Sequence, residues 1–206
     1  CDAIGSTIYY YSIEPADDSQ TYSKTIFKYY AYDIENNNTT LIDSIASDSK
    51  RKITITDGDL YQIDSETHQV LVKHIGEATD ESAIKEFSID EGLENYAIRC
   101  VIDEKIVVDE QQKSEDGTTQ SITHVIDCDT GEIEAWPLYY DSAVTTYPAQ
   151  VEILALQDDA FLVRCGVETL DVKYGDGETY TMSNSQYATI KRSDFWAGAE
   201  NYNYFA

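Results

Sequence analysis

The chain has 206 residues, 42% of them apolar and spread throughout, which is enough to bury a core without disulfides or metals. Its 39 Asp and Glu against 14 Lys and Arg give a net charge of −25, which disfavours nucleic acid and anionic membranes, since both are bound through cationic side chains. No apolar run reaches the roughly 18 residues of a membrane-spanning helix, and three Pro with ten Gly exclude a disordered or collagen-like chain.

Read from the start, Cys1 is followed by a short acidic turn and the apolar stretch Ile8-Tyr9-Tyr10. Tyr32-Asp33-Ile34-Glu35-Asn36-Asn37 then leads into Thr40-Leu41-Ile42. Ile53-Thr54-Ile55-Thr56 alternates in the period of a half-buried strand and meets the turn signal Asp57-Gly58-Asp59. Ile63-Asp64-Ser65-Glu66-Thr67-His68 leads into Val70-Leu71-Val72, a second copy of the Asp33 pattern. Glu81 to Phe87 has modest helical character and is too short to alter the class.

Further on, Ile106-Val107-Val108 and Phe161-Leu162-Val163 read as strands covered on both faces, with hairpin signals at Asp116-Gly117 and Asp176-Gly177. Ile126-Asp127-Cys128-Asp129-Thr130-Gly131 before Ile133 is a third copy of the Asp pattern, and Ser193-Asp194-Phe195-Trp196-Ala197-Gly198 a fourth. In each, the Asp holds a tight turn and the residue four places on must enter φ > 0. Asn37, His68, Gly131 and Gly198 suit that position. The Asp positions 33, 64, 127 and 194 step by 31, 63 and 67 residues, against about 40–50 for familiar propeller blades.

Tyr96-Ala97-Ile98-Arg99-Cys100-Val101 also matches Phe161-Leu162-Val163-Arg164-Cys165-Gly166, which predicts equivalent strands in neighbouring blades. The expected fold is therefore all-β: repeated antiparallel four-stranded meanders forming a partial β-propeller of about three to four blades. The approximate units are 1–45, 46–75, 76–140 and 141–206 within a single domain. Cys1 fits two readings: the lipid-bearing cysteine of a processed lipoprotein, or a third copy of the Cys100 strand in a chain with further blades upstream. The strand that begins within a few residues favours the second.

These Asp hairpins, joined to Ile-Tyr-Tyr and to Leu60-Tyr61-Gln62-Ile63-Asp64, resemble the TolB-like group of bacterial β-propellers. Tyr187-Ala188-Thr189-Ile190 adds to the likeness, which is nearest to the extracellular lipoproteins of Gram-positive bacteria. The resemblance implies an extracellular or cell-surface domain that binds a protein, peptide or glycan through loops at one end of its axis. It transfers no functional residue.

The residues themselves name no chemistry. Cys1, Cys100, Cys128 and Cys165 show no CxxC spacing; small buried thiols are expected, with a disulfide as the alternative. His68, His74 and His124 lack metal-ligand spacing, and Asp127-Cys128-Asp129-Thr130-Gly131-Glu132 lacks the long loop of an EF-hand. The four arginines, Arg51, Arg99, Arg164 and Arg192, form no cluster in sequence. Trp136 and Trp196 are expected to pack between blades. No catalytic or metal residue and no cofactor is assigned, and the ligand-binding residues are not identified by sequence. The expected function is a non-enzymatic extracellular binding or scaffold domain. The alternatives are a propeller-fold hydrolase or accessory domain of a surface enzyme, and a ligand-sensing domain of a cell-surface receptor.

Overall fold

A computed structural model describes residues 2–16, 25–75, 84–89, 93–113, 117–142, 147–173, 175 and 178–205. Cys1, Asp116 and the Asp176-Gly177 turn lie outside the described residues, as does the first part of the Glu81–Phe87 stretch. The fold is all-β, with the strand plan of a partial β-propeller: four antiparallel sheets, each of four strands in meander order. The chain divides into two compact units, residues 1–135 and 136–206.

The first unit holds three meanders. β1 (Asp2–Ile4), β2 (Thr7–Pro15), β3 (Thr25–Asp33) and β4 (Asn38–Ala46) form the first. β5 (Arg51–Thr56), β6 (Asp59–Asp64), β7 (Gln69–His74) and β8 (Ile84–Ser88) form the second. β9 (Tyr96–Ile102), β10 (Lys105–Lys113), β11 (Thr119–Asp127) and β12 (Ile133–Ala135) form the third. The stretch that read as weakly helical thus ends in β8, and the second meander draws its last strand from beyond the 46–75 span. Pairing with β7 along Gln69–Lys73 outweighs the weak local preference.

The turns explain the uneven steps in the sequence. The Asp33 and Asp127 turns join third to fourth strands, whereas the Asp64 turn joins a second strand to a third. One local motif therefore serves two places in the meander. The hairpin between first and second strands is the regular marker. It begins at residues 5, 57, 103 and 157, in steps of 52, 46 and 54.

The Asp turns themselves form as expected. Oδ1 of Asp33, Asp64 and Asp127 accepts the backbone N–H groups two and three residues on, at 2.8–3.3 Å. Asn37, His68 and Gly131 then take φ of 50°, 58° and 77°. Gly131 also packs where only a hydrogen fits, since a Cβ would stand 2.6 Å from the Ser88 carbonyl oxygen. The two-residue hairpin Asp57-Gly58 has φ > 0 at both positions, the geometry that matches strand twist. Asp103-Glu104 repeats it without a glycine.

The meanders of this unit pack face to face. Ile45, Ile53 and Leu60, with Tyr29, Ile42, Ile55 and Ile75 around them, form the layer between the first and second. Tyr61, Ile63, Val70, Tyr96, Ile106 and Val108 belong to the larger layer between the second and third. Ile106, Val107 and Val108 are all fully buried, as a strand covered on both faces requires.

The second unit contains the two-stranded sheet β13 (Tyr139–Tyr140) and β14 (Ala149–Gln150), and the fourth meander. That meander runs β15 (Glu152–Leu156), β16 (Ala160–Lys173), β17 (Thr179–Lys191) and β18 (Asn203–Tyr204). The fourth Asp pattern differs from the others: Asp194 lies in the short helix α1 (Arg192–Trp196). Gly198 at φ 68° closes it, with Ala199 N–H donating to Asp194 O and Gly198 N–H to Phe195 O. Trp136 is buried in this unit's own core, edge-on to Phe195 at 5.4 Å and to Trp196 at 6.2 Å. Its indole N–H donates to Val151 O at 3.1 Å.

Cys100 lies on a first strand, β9, and Cys165 on a second strand, β16. The expectation that they are equivalent is therefore corrected; the matched sequences share strand character, not strand position. Cys100, Cys128 and Cys165 are free thiols, the last two buried. Burial pushes the Cys128 thiol up to about 11, which keeps it protonated and inert.

Candidate functional site

In the first unit, exposure changes both along and across one face of the first sheet. β2 and β3 have nine residues each, whereas β5 and β6 have six. One face of β2–β3 carries Tyr9, Tyr11 and Ile13 opposite Ala31, Tyr29 and Phe27, and Phe27 pairs on its other side with the buried Ile45 of β4, so the second meander covers the β4 side and leaves the end of β2 open. Tyr9 is buried at 3% exposure; Tyr11 and Ile13, two and four places on, are each 54% exposed. Tyr11 leans over Tyr29 and Phe27, with ring centroids 6.0 Å away in both cases.

This face forms one wall of a cavity of about 510 Å³. Its other walls come from β5 and β9, the first strands of the second and third meanders, which lie against each other. Tyrosine hydroxyls fix the walls: Tyr9 donates to Ile75 O at 3.2 Å and Tyr29 to Ile53 O at 3.0 Å. The Tyr96 hydroxyl sits between Ile63 O at 2.8 Å and Lys50 O at 2.9 Å. Burial pushes the Tyr29 and Tyr96 phenols above their ordinary range, so both remain donors at any physiological pH.

β5 offers backbone to the cavity. In a two-residue hairpin the pair flanking the turn is hydrogen-bonded, here Thr56 with Asp59, and bonded pairs then alternate. Lys52, Thr54 and Thr56 spend their backbone groups on β6. Those of Ile53 and Ile55 face away from it, with Ile53 O taken by the Tyr29 hydroxyl.

Among the described residues, three cations and no carboxylate line the cavity. Arg51 Nη2 is held 2.9 Å from Asp43 Oδ1. Arg99 makes a two-pronged pair with Asp109, Nε to Oδ2 at 2.8 Å and Nη2 to Oδ1 at 2.6 Å, braced by Thr123. Lys52 is half-buried and donates to Ser47 O at 3.0 Å; burial lowers its pKa. The cavity therefore offers aromatic faces, an open strand edge and an ammonium group held beneath them.

A second polar cluster lies on β10–β11. Glu110 is 5% exposed and accepts from Glu94 N–H and from Gln112, each at 2.8 Å, and lies 3.1 Å from His124 Nε2. Burial works to raise the Glu110 pKa, but these hydrogen bonds outweigh it and hold the carboxyl below its ordinary value. The arrangement ties the start of β9 to β10.

The residues weighed from sequence are dispersed. His68 occupies the φ > 0 turn position, His74 pairs with Asp59 at 2.8 Å, and His124 belongs to the Glu110 cluster. Arg164 pairs with Glu152, and Arg192 lies over the Phe161 ring while donating to Gln157 O. Among the described residues, no three of His, Cys, Asp and Glu converge as metal ligands. Among those same residues, no helix is long and apolar enough to cross a membrane. Sequence reasoning missed Tyr11, Phe27, Tyr29 and Lys52. The available signal was the clustering of Tyr9-Tyr10-Tyr11 with Tyr29-Tyr30 on adjoining strands. Compared with known protein families and with curated proteins, the chain finds no match.

Proposed function

We propose that the chain is a non-enzymatic binding domain, a propeller segment of an extracellular bacterial protein, and that it takes a peptide, protein segment or glycan into the Tyr11 cavity. The observation that carries this reading is the exposed aromatic face of β2 at Tyr11, over Tyr29 and Phe27 and beside the edge strand β5. A fold that only needed to bury its layers has no use for exposed Tyr11 and Ile13. Aromatic faces supply contact area to sugars and side chains alike, and an open strand edge pairs with extended backbone. The acidic exterior supports a secreted setting in which solubility matters.

The test uses arrays of peptides and of glycans probed with the labelled chain. Hits are expected, and Tyr11→Ala should weaken them by about tenfold or more while leaving the melting temperature unchanged. Hits that Tyr11→Ala leaves intact would place binding elsewhere and overturn the reading. A chain that binds nothing on either array would overturn it as well.

A further inference from the structure

The cations of the Tyr11 cavity differ in what they face. Arg51 and Arg99 are each closed by a carboxylate, those of Asp43 and Asp109. The Lys52 ammonium has three donors, and Ser47 O at 3.0 Å is its one hydrogen-bond acceptor among the described residues. Elsewhere the half-buried cations Lys28, Lys105 and Arg164 also stand against carboxylates, those of Glu14, Asp127 and Glu152. Lys52, half-buried as they are, faces a neutral carbonyl instead, in a chain with 39 acids to choose from. Burial lowers its pKa more than the nearby charge of Asp48 raises it. The ammonium has therefore given up water without gaining a counter-ion at contact distance, which leaves a place for an anion.

The rest of the lining narrows what that anion belongs to. A cavity of about 510 Å³ is of the size that encloses small ligands, enough for a short stretch of peptide. Tyr9, Tyr29 and Tyr96 have their hydroxyls committed to backbone carbonyls, so they offer ring faces. A sugar presents hydroxyls that donate as well as accept, and the carboxylate and amide side chains that receive such protons are absent from the described lining. A peptide asks less of these walls: apolar side chains fit against Tyr11, Phe27 and Ile55, and a carboxylate meets Lys52.

The net charge of −25 limits how many carboxylates the ligand carries. Exposed charges are screened beyond about 8 Å at physiological salt, whereas a half-buried pair is screened little. One carboxylate that reaches Lys52 gains a desolvated partner; each further one meets only the acidic exterior. We infer that the Tyr11 cavity takes a peptide with a single carboxylate between apolar residues, the carboxylate on the Lys52 ammonium and the apolar side chains against the aromatic wall. This rests on the cavity being the binding site and adds the class of its ligand.

The probes are fluorescent, capped peptide libraries of randomised apolar residues around a central glutamate, a central glutamine or a run of glutamates. By fluorescence polarisation, the single-glutamate library should bind about tenfold or more tighter than the glutamine library, and tighter than the run of glutamates. That comparison is made on the unaltered chain and does not depend on how a variant folds. Lys52→Met should bring the glutamate library down to the glutamine level, and Lys52→Arg should keep most of the preference. Tyr11→Ala should weaken both of these libraries alike. Equal binding of glutamate and glutamine peptides overturns the inference, as does a preference that survives Lys52→Met or a tighter hold on the run of glutamates. If Tyr11→Ala still weakens those peptides, the cavity stands as the binding site and only its ligand class falls. Binding that ignores Tyr11→Ala overturns both. Glycans captured where no peptide library binds would overturn the peptide alone.

Discussion

The second and fourth meanders share one strand order and differ in what their strands do. In the second, six-residue strands end in tight turns at Asp57-Gly58 and Asp64, and Leu60, Tyr61, Ile63 and Val70 are all buried. In the fourth, β16 and β17 have fourteen and thirteen residues; their inner halves bury Phe161, Val163, Ala188 and Ile190, and their outer halves bury nothing. The meander is a stable layer over about six residues. Strand length beyond that is free to present surface, as it is on β16–β17.

This contrast is open to direct measurement, beginning with the layer itself. Ile63 is fully buried between two sheets, so Ile63→Ala should cost about 2–5 kcal/mol in a denaturant titration. A loss below about 1 kcal/mol would mean that the second meander is not the packed one. Next comes the turn that seats one layer on another. Gly131→Ala meets both φ 77° and the Ser88 carbonyl, and should cost more than about 1 kcal/mol. Asn37→Gly, at φ 50° in an exposed turn, should be neutral within about 0.5 kcal/mol.

A smaller effect belongs to the charge that holds the third meander's turn. The Lys105 ammonium, with the N–H groups of Asp129 and Thr130, brings the Asp127 carboxyl down to about 2 from an ordinary 3.8. A depressed carboxyl stabilises the fold fully above its unfolded value. That contribution is lost as pH falls from about 4 through 2, because the unfolded chain takes up the proton first. Asp127→Asn should therefore lower the melting temperature at pH 7 and flatten its fall between pH 4 and 2; an unchanged acid limb would remove Asp127 from the account. The smallest change is expected in the outer half of β16, where Leu170→Ala should shift stability by less than about 0.5 kcal/mol. A loss as large as that of Ile63→Ala would show that this stretch is core after all.

Much of the architecture was legible before any coordinates. The Asp turns depend on a carboxylate reaching N–H groups two and three residues away, which is a local matter. Asn37, His68, Gly131 and Gly198 all adopt the φ > 0 expected of them. Strands covered on both faces declared themselves through Ile106-Val107-Val108. What misled was the reuse of one motif. The Asp64 turn joins a different pair of strands from those at Asp33 and Asp127, and no local pattern distinguishes them. The likeness of the Cys100 and Cys165 strands misled in the same way, since apolar strands around an Arg-Cys pair look alike wherever they sit.

The candidate cavity was less legible for a related reason. Tyr9 and Tyr11 are the same residue type on the same strand face, yet one is buried at 3% and the other stands 54% exposed. Sequence determined that β2 forms, which of its faces is aromatic and where its turns fall, because alternation, side-chain bulk and turn chemistry act over a few residues. Only the tertiary structure decided which part of that face is covered, because the cover comes from the second meander, some forty residues further along the chain, which buries Tyr9 and Ile45 and leaves Tyr11 exposed.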